Sequence, residues 1–161
     1  MAKVIAVCGK IGSGKSFYAE KIRKANKAVV LSCDEITLTL FHQDMGEIHN
    51  EMVSRTKKYL FEKSIQILEI GCNVILDWGF WTKEDRDYVR DFYKKREVVC
   101  ELHYIDVSEE QWKRNLAKRN QQIRDGRAVA YYFDDELANL FAQKFEVPTK
   151  AEIDFWLKSK S

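Results

Sequence analysis

Short apolar runs alternate with amphipathic stretches along this chain. Val4-Ile5-Ala6-Val7-Cys8 is a continuous apolar run, typical of a strand covered on both faces. Phe17 to Ala25 reads as a helix, and Ala28 to Cys33 as a second strand ending at Asp34-Glu35. Ile36 to Phe41 is short and apolar, with a break around Asp44-Met45-Gly46. Glu47 to Ile70 lacks Pro and Gly and carries Ile48, Met52, Tyr59, Leu60, Ile67 and Leu68, which predicts a helix with one face on a sheet. Gly71 ends it. Asn73 to Asp77 is a third strand, again apolar and again ending in a carboxylate. Thr82-Lys83-Glu84-Asp85 resembles a capping box and opens a helix to about Arg96. Val98 to Ile105 is a fourth, alternating strand with Cys100, Leu102 and Tyr104 on one face. Ser108 to Gln111 is a second capping box, opening a basic helix through Arg119 or beyond. After a break at Gly126, Asp134 to Phe145 forms an amphipathic helix that Pro148 closes off, and Phe155-Trp156-Leu157 is a short final strand.

This alternation predicts an α/β fold with a mostly parallel sheet of about five strands and helices on both faces. There is no repeat or linker, so residues 1–161 form one domain. Ligands of such sheets bind beyond the carboxyl ends of the strands. Gly9, Asp34, Asp77 and Asp106 fall just past those ends and converge on one crevice.

Composition narrows the function. The net charge is only +2, which makes no general case for nucleic acid or membrane as partner. No apolar run is long enough to cross a bilayer, and the chain enters a core strand almost at once, so no signal peptide is expected. Cys8, Cys33, Cys72 and Cys100 have no metal-ligand spacing and read as buried thiols in or beside strands, which fits a reducing cytoplasm.

The chemistry centres on Gly9-Lys10-Ile11-Gly12-Ser13-Gly14-Lys15-Ser16, which fits the phosphate-loop pattern G-x-x-x-x-G-K-[ST] between a strand and the helix that Phe17 enters. Glycines let amides approach a phosphate, and the helix N-terminus adds partial positive charge. Lys15 reaches the outer phosphates of ATP, and Ser16 and Asp77 hold Mg²⁺. Trp78-Gly79-Phe80-Trp81 follows Asp77, where many ATP-hydrolysing motors place a glutamate. An aromatic wall excludes water and favours an organic acceptor, although at least one of these rings is expected in the core. Asp34 is placed to take the proton of an attacking hydroxyl, with a helix N-cap as its rival reading. Trp112, Leu116, Arg119 and Ile123 share one helical stripe, so Arg119 needs a partner that the nucleotide would supply. Arg124 and Arg127 lie in a polar stretch suited to a lid, around residues 119–133. The three histidines are scattered and receive no catalytic role; His42 and Arg55 are within reach of an acceptor.

The loop, the Asp34-Glu35 strand tip, the Val74 to Trp81 stretch, the basic segment around Arg119-Asn120 and the Phe145 to Thr149 tail together resemble small bacterial AAA-domain-like P-loop ATP-binding proteins. These are similar to the kinases of the zeta toxin and chloramphenicol phosphotransferase group. The resemblance implies a three-layer, nucleoside-kinase-like P-loop core using ATP and Mg²⁺ on a hydroxyl-bearing acceptor. In it Asp34 would be the base, and Arg119 and Arg124 would serve the nucleotide. The chain lacks the extra substrate-binding segments of the larger toxin kinases, so acceptor identity does not carry over.

Two readings follow. One is a phosphotransferase acting on a small molecule, with nucleic-acid ends as a less favoured acceptor. The other is a nucleotide-dependent switch with slow hydrolysis and a protein partner. No guanine-reading Asn-Lys-x-Asp stretch is present, which weakens GTP relative to ATP.

Overall fold

Five strands pair side by side, all parallel, in the order β2-β3-β1-β4-β5: β1 Lys3–Cys8, β2 Ala28–Ser32, β3 Asn73–Gly79, β4 Val99–Asp106 and β5 Phe155–Lys158. The computed structural model describes residues 1–41, 43, 45–128 and 130–158. Helices α1 (Lys15–Ala25), α2 (Cys33–Leu40), α3 (His49–Glu69), α4 (Lys83–Lys94), α5 (Glu109–Arg124) and α6 (Asp135–Gln143) join the strands.

The central strand β1 alternates between two cores. Val4, Ala6 and Cys8 face a cluster with Leu76, Leu102 and Tyr104, closed by Phe61 and Leu68 of α3 and Val89, Phe92 and Tyr93 of α4. Ile5 and Val7 face the opposite side, where Ile75 and Ile105 pack on Ala19 of α1. Both faces are covered, which is why β1 is apolar from Val4 to Cys8. Among the described residues, no helix is long and apolar enough to cross a membrane.

The boundaries follow local chemistry. Gly71 ends α3 at φ +86°, with its N–H on Leu68 and that of Cys72 on Ile67. Thr82 and Asp85 form the expected reciprocal capping box. The structure departs from the expected boundaries at several points. The stretch after the second strand is a helix, because Ser32 caps it by accepting from the Glu35 N–H at 3.2 Å and Asp34 and Glu35 favour its first turn. Asp34 is therefore not the N-cap, and Cys33 opens a helix rather than ending a strand. Asp77 lies within β3 rather than past its end, since Val7 pairs with Asp77 but Cys8 pairs with Gly79, leaving Trp78 as a bulge. Cys72 and Cys100 are only partly buried rather than buried.

The carboxyl-terminal segment is fastened by arginines. Arg86 of α4, 1% exposed, pairs with Glu152 at 2.9 Å and donates to the carbonyls of Phe80 and Trp81 at 3.0 and 3.3 Å. Arg90 reaches Asp154 at 2.8 Å, whose carboxylate also accepts from the Leu102 N–H of β4 at 2.8 Å. These bonds seat β5 at the sheet edge.

Candidate active site

The loop after β1 is built to receive an anion. Gly12 and Gly14 adopt φ +71° and +94°, a region other residues resist. A Cβ at Gly9 would stand 2.6 Å from Ser13 Oγ, and one at Gly12 would stand 2.7 Å from Leu116. Helix α1 starts at Lys15 with no side-chain cap and no acidic residue in its first turn, so its N-terminal N–H groups stay open for a ligand. Ser13 Oγ is buried with no hydrogen-bond partner among the described residues. Lys15 Nζ folds back onto the Lys10 carbonyl at 2.9 Å. Desolvation lowers its pKa, opposed by the charges of Asp77 and Asp34. These groups fit a polyphosphate.

Ser16 Oγ donates to Asp77 Oδ2 at 2.8 Å, and Asp77 is 6% exposed. A hydroxyl beside a carboxylate at a phosphate loop is the hard-oxygen set that Mg²⁺ takes. The residues present therefore fit the ion.

Helix α5 grips the loop from outside. Trp112, 3% exposed, donates its indole N–H to the Ile11 carbonyl at 2.6 Å, and Asn115 Nδ2 donates to the Gly12 carbonyl at 2.9 Å. Lys10 points away from the cleft, with Nζ 4.1 Å from the Trp112 ring centroid and 3.7 Å from Glu109. The sequence showed Trp112 only as part of an apolar stripe; the polar use of its ring requires the tertiary contact. Trp112→Phe keeps most of the packing and removes this bond, leaving a buried carbonyl unpaired. It is expected to cost about 1–3 kcal/mol of stability and to weaken ATP binding by roughly 2- to 10-fold, measured by denaturation and calorimetry.

One turn further along α5, Arg119 enters the cleft. Its Nε is buried without a hydrogen-bond partner among the described residues, and its guanidinium lies 5.5 Å from the Phe133 ring. Desolvation lowers its pKa, while Asp34 and Asp77 act in the opposite sense. Asp34, in the first turn of α2, feels Lys15, Arg119 and Asp77 together. Its carboxyl is open to the water of the cleft, yet the surrounding protein thins its hydration and raises its pKa, with Lys15 and Arg119 restraining the rise. Lys15, Ser16, Asp34, Asp77 and Arg119 thus share one cleft.

That cleft encloses about 1720 Å³, more than a single small-molecule site needs, so it has room for a nucleotide and a second molecule. Ile11, Gly12, Ser13, Gly14 and Phe17 line it; Gly9 does not, its N–H donating to the Gly79 carbonyl at 3.0 Å. Trp78 and Trp81 line it as well, while Phe80 is 2% exposed in the core. Tyr131 crosses to α2, where its hydroxyl bonds Thr37 at 2.8 Å and its ring meets His49 edge-on. Neither this contact nor the cleft position of His49 was legible in the sequence.

Several expected residues lie elsewhere. Arg124 donates to the Tyr132 hydroxyl at 2.8 Å and stacks on that ring rather than lining the cleft. Arg127 pairs with Asp125, and Arg55 pairs with Glu51 on the surface. Asp106 accepts from the Trp156 indole at 2.9 Å and serves the sheet edge. His42 falls outside the described residues.

Comparison with known proteins agrees with this geometry. A putative kinase from Chloroflexus aurantiacus superposes with a TM-score of 0.73 at 15% identity, covering 98% of this chain and 86% of its own. The APS kinase of Mycobacterium tuberculosis gives 0.66 at 19% identity, covering 99% and 90%. A gluconokinase from Sinorhizobium meliloti gives 0.61 at 15% identity, covering 97% and 81%. At these identities the likeness is one of fold. No curated protein matches the sequence. A family model described as an AAA domain matches residues 4–148, nearly the whole chain, and with the phosphate loop in place the protein belongs to that P-loop AAA-domain family.

Proposed function

We propose that the protein is a Mg²⁺-dependent kinase that transfers the γ-phosphoryl group of ATP to a hydroxyl of a small molecule. The observation that carries this reading is Asp34, a carboxylate in the cleft within the fields of Lys15 and Arg119. The residue after Asp77 supports it, since Trp78 offers no base to activate water.

The loop amides, Ser13 and Lys15 hold the polyphosphate, and Ser16 and Asp77 hold the ion. Bound there, Mg²⁺ neutralises phosphate charge. Asp34 orients the acceptor hydroxyl and takes its proton as the oxygen bonds the γ-phosphorus. The bond from that phosphorus to the bridging oxygen breaks, and its electron pair leaves with ADP. Lys15 and Arg119 offset the charge that builds on the transferred group. Trp78 and Trp81 exclude water from the acceptor side.

ATP turnover with Mg²⁺, measured with and without a pool of cell metabolites, tests the reading, with Lys15→Ala as control. The expected result is slow turnover alone, strong stimulation by the pool and none in the variant. Steady hydrolysis indifferent to the pool would favour the alternative, a nucleotide-dependent switch with a protein partner.

A further inference from the structure

Lys57 has no part in the chemistry described so far. It lies on α3, where His49, Val53 and Lys57 fall four residues apart on one stripe, and all three line the cleft. Other charged contacts of α3 are directed elsewhere: Arg55 to Glu51, Glu62 to Arg96 and Lys63 to Gln66. Lys57 is half-buried, has no hydrogen-bonded partner among the described residues, and lies within the field of Asp34. On Asp34 it acts more weakly than Lys15 and Arg119, so it is not that carboxylate's main counter-ion. A half-buried ammonium beside a cleft, without a hydrogen-bonded partner, is matched to an anion that arrives with a ligand.

The surroundings define that ligand further. Asp34 and Glu35 of α2 also line the cleft and repel an anion placed beside them. A molecule with both a hydroxyl and an oxyanion therefore has one favoured orientation, with the hydroxyl at Asp34 and the oxyanion at Lys57. Trp78, Trp81 and Tyr131 add flat apolar walls suited to a ring. We infer that the phosphoryl acceptor is an oxyanion-bearing ring compound, a phosphate or carboxylate of a sugar or nucleoside, whose anionic group is held by Lys57. This rests on the kinase reading above.

The test uses matched probes: a sugar, its phosphate and its sugar acid, and a nucleoside with its monophosphate. Each is titrated by calorimetry into protein already loaded with Mg²⁺ and a non-hydrolysable ATP analogue, so the nucleotide site is filled. At least one anionic probe is expected to bind about tenfold or more tightly than its neutral partner. Lys57→Met should remove that difference, and Lys57→Arg should restore most of it. The phosphate and carboxylate arms tell which oxyanion is meant. Equal affinity within every pair, a difference that survives Lys57→Met, or binding by no anionic probe would overturn the inference. ATP turnover on the same panel separates the two readings. Phosphoryl transfer to neutral members alone keeps the kinase and removes the role of Lys57; anion binding without transfer to any member, and without stimulation of turnover by the metabolite pool, keeps the anion site and removes the kinase.

Discussion

Asp34→Asn is expected to lower kcat for the phosphorylated acceptor by about 10²- to 10⁴-fold, the range of a lost general base. ATP affinity should change little, because Lys15, Ser13 and the loop amides hold the nucleotide without it. The amide keeps the shape of the side chain but cannot accept the hydroxyl proton. Fold stability should also stay close to wild type, since Asp34 contributes to its helix only as a first-turn charge, about 0.3–1 kcal/mol. The pH profile gives a second readout. The base works when ionised, so the rate falls as pH drops through its pKa. Desolvation raises that pKa, which places the acid limb above that of an ordinary aspartate. The limb should vanish in Asp34→Asn. Steady-state kinetics across pH, with a parallel binding titration, decides the matter; an asparagine variant with unchanged kcat would remove Asp34 from the mechanism.

Arg86→Met carries the largest expected effect on stability. The side chain is 1% exposed and joins Glu152 to the carbonyls that end the β3 turn. Removing it leaves the Phe80 and Trp81 carbonyls without their donor and Glu152 with Thr149 as its remaining partner, which costs about 3–5 kcal/mol. In a domain of this size that corresponds to a fall in Tm of roughly 6–20 °C. The deficit should depend on pH. Burial acts to raise the pKa of Glu152, but the Thr149 N–H and Arg86 outweigh it and the net shift is downward. A depressed carboxylate contributes stability above its unfolded value of 4.5, and that contribution is lost as pH falls through the folded value. Urea denaturation should therefore show a wide gap between wild type and Arg86→Met at neutral pH and a narrower one well below 4.5. A gap under about 1 kcal/mol at neutral pH would mean that the pair is not structurally important.

Much of this molecule is legible in its sequence. The strands β1, β3 and β4 were readable because burial on both faces, or on one, leaves continuous or alternating apolar runs in any such sheet. The phosphate loop was readable because its backbone angles demand glycine at fixed spacing. Helix α2 is not evident in the sequence because Ile36, Leu38 and Leu40 alternate as they would in a strand, and its cap, Ser32, sits at the end of a strand. Asp77 was placed past a strand because a bulge leaves no mark in composition. Arg124 was counted with the site because a basic residue near a lid has the same appearance whether it faces a nucleotide or, as here, stacks on Tyr132.

The division has a physical basis. Local angles, capping and burial periodicity act between residues a few positions apart, so the chain itself encodes the five strands, most helices and the loop that takes phosphate. Contacts between distant residues depend on how the elements pack. Trp112 reaches the Ile11 carbonyl across 101 residues, Tyr131 reaches Thr37 across 94, and Arg86 reaches Glu152 across 66. The same holds for the meeting of Asp34 with Lys15 and Arg119, and for the direction in which Lys57 faces. Side-chain type limits what each of these residues can bond, but only the packing of α2, α3 and α5 around the carboxyl ends of the strands selects which partner it meets.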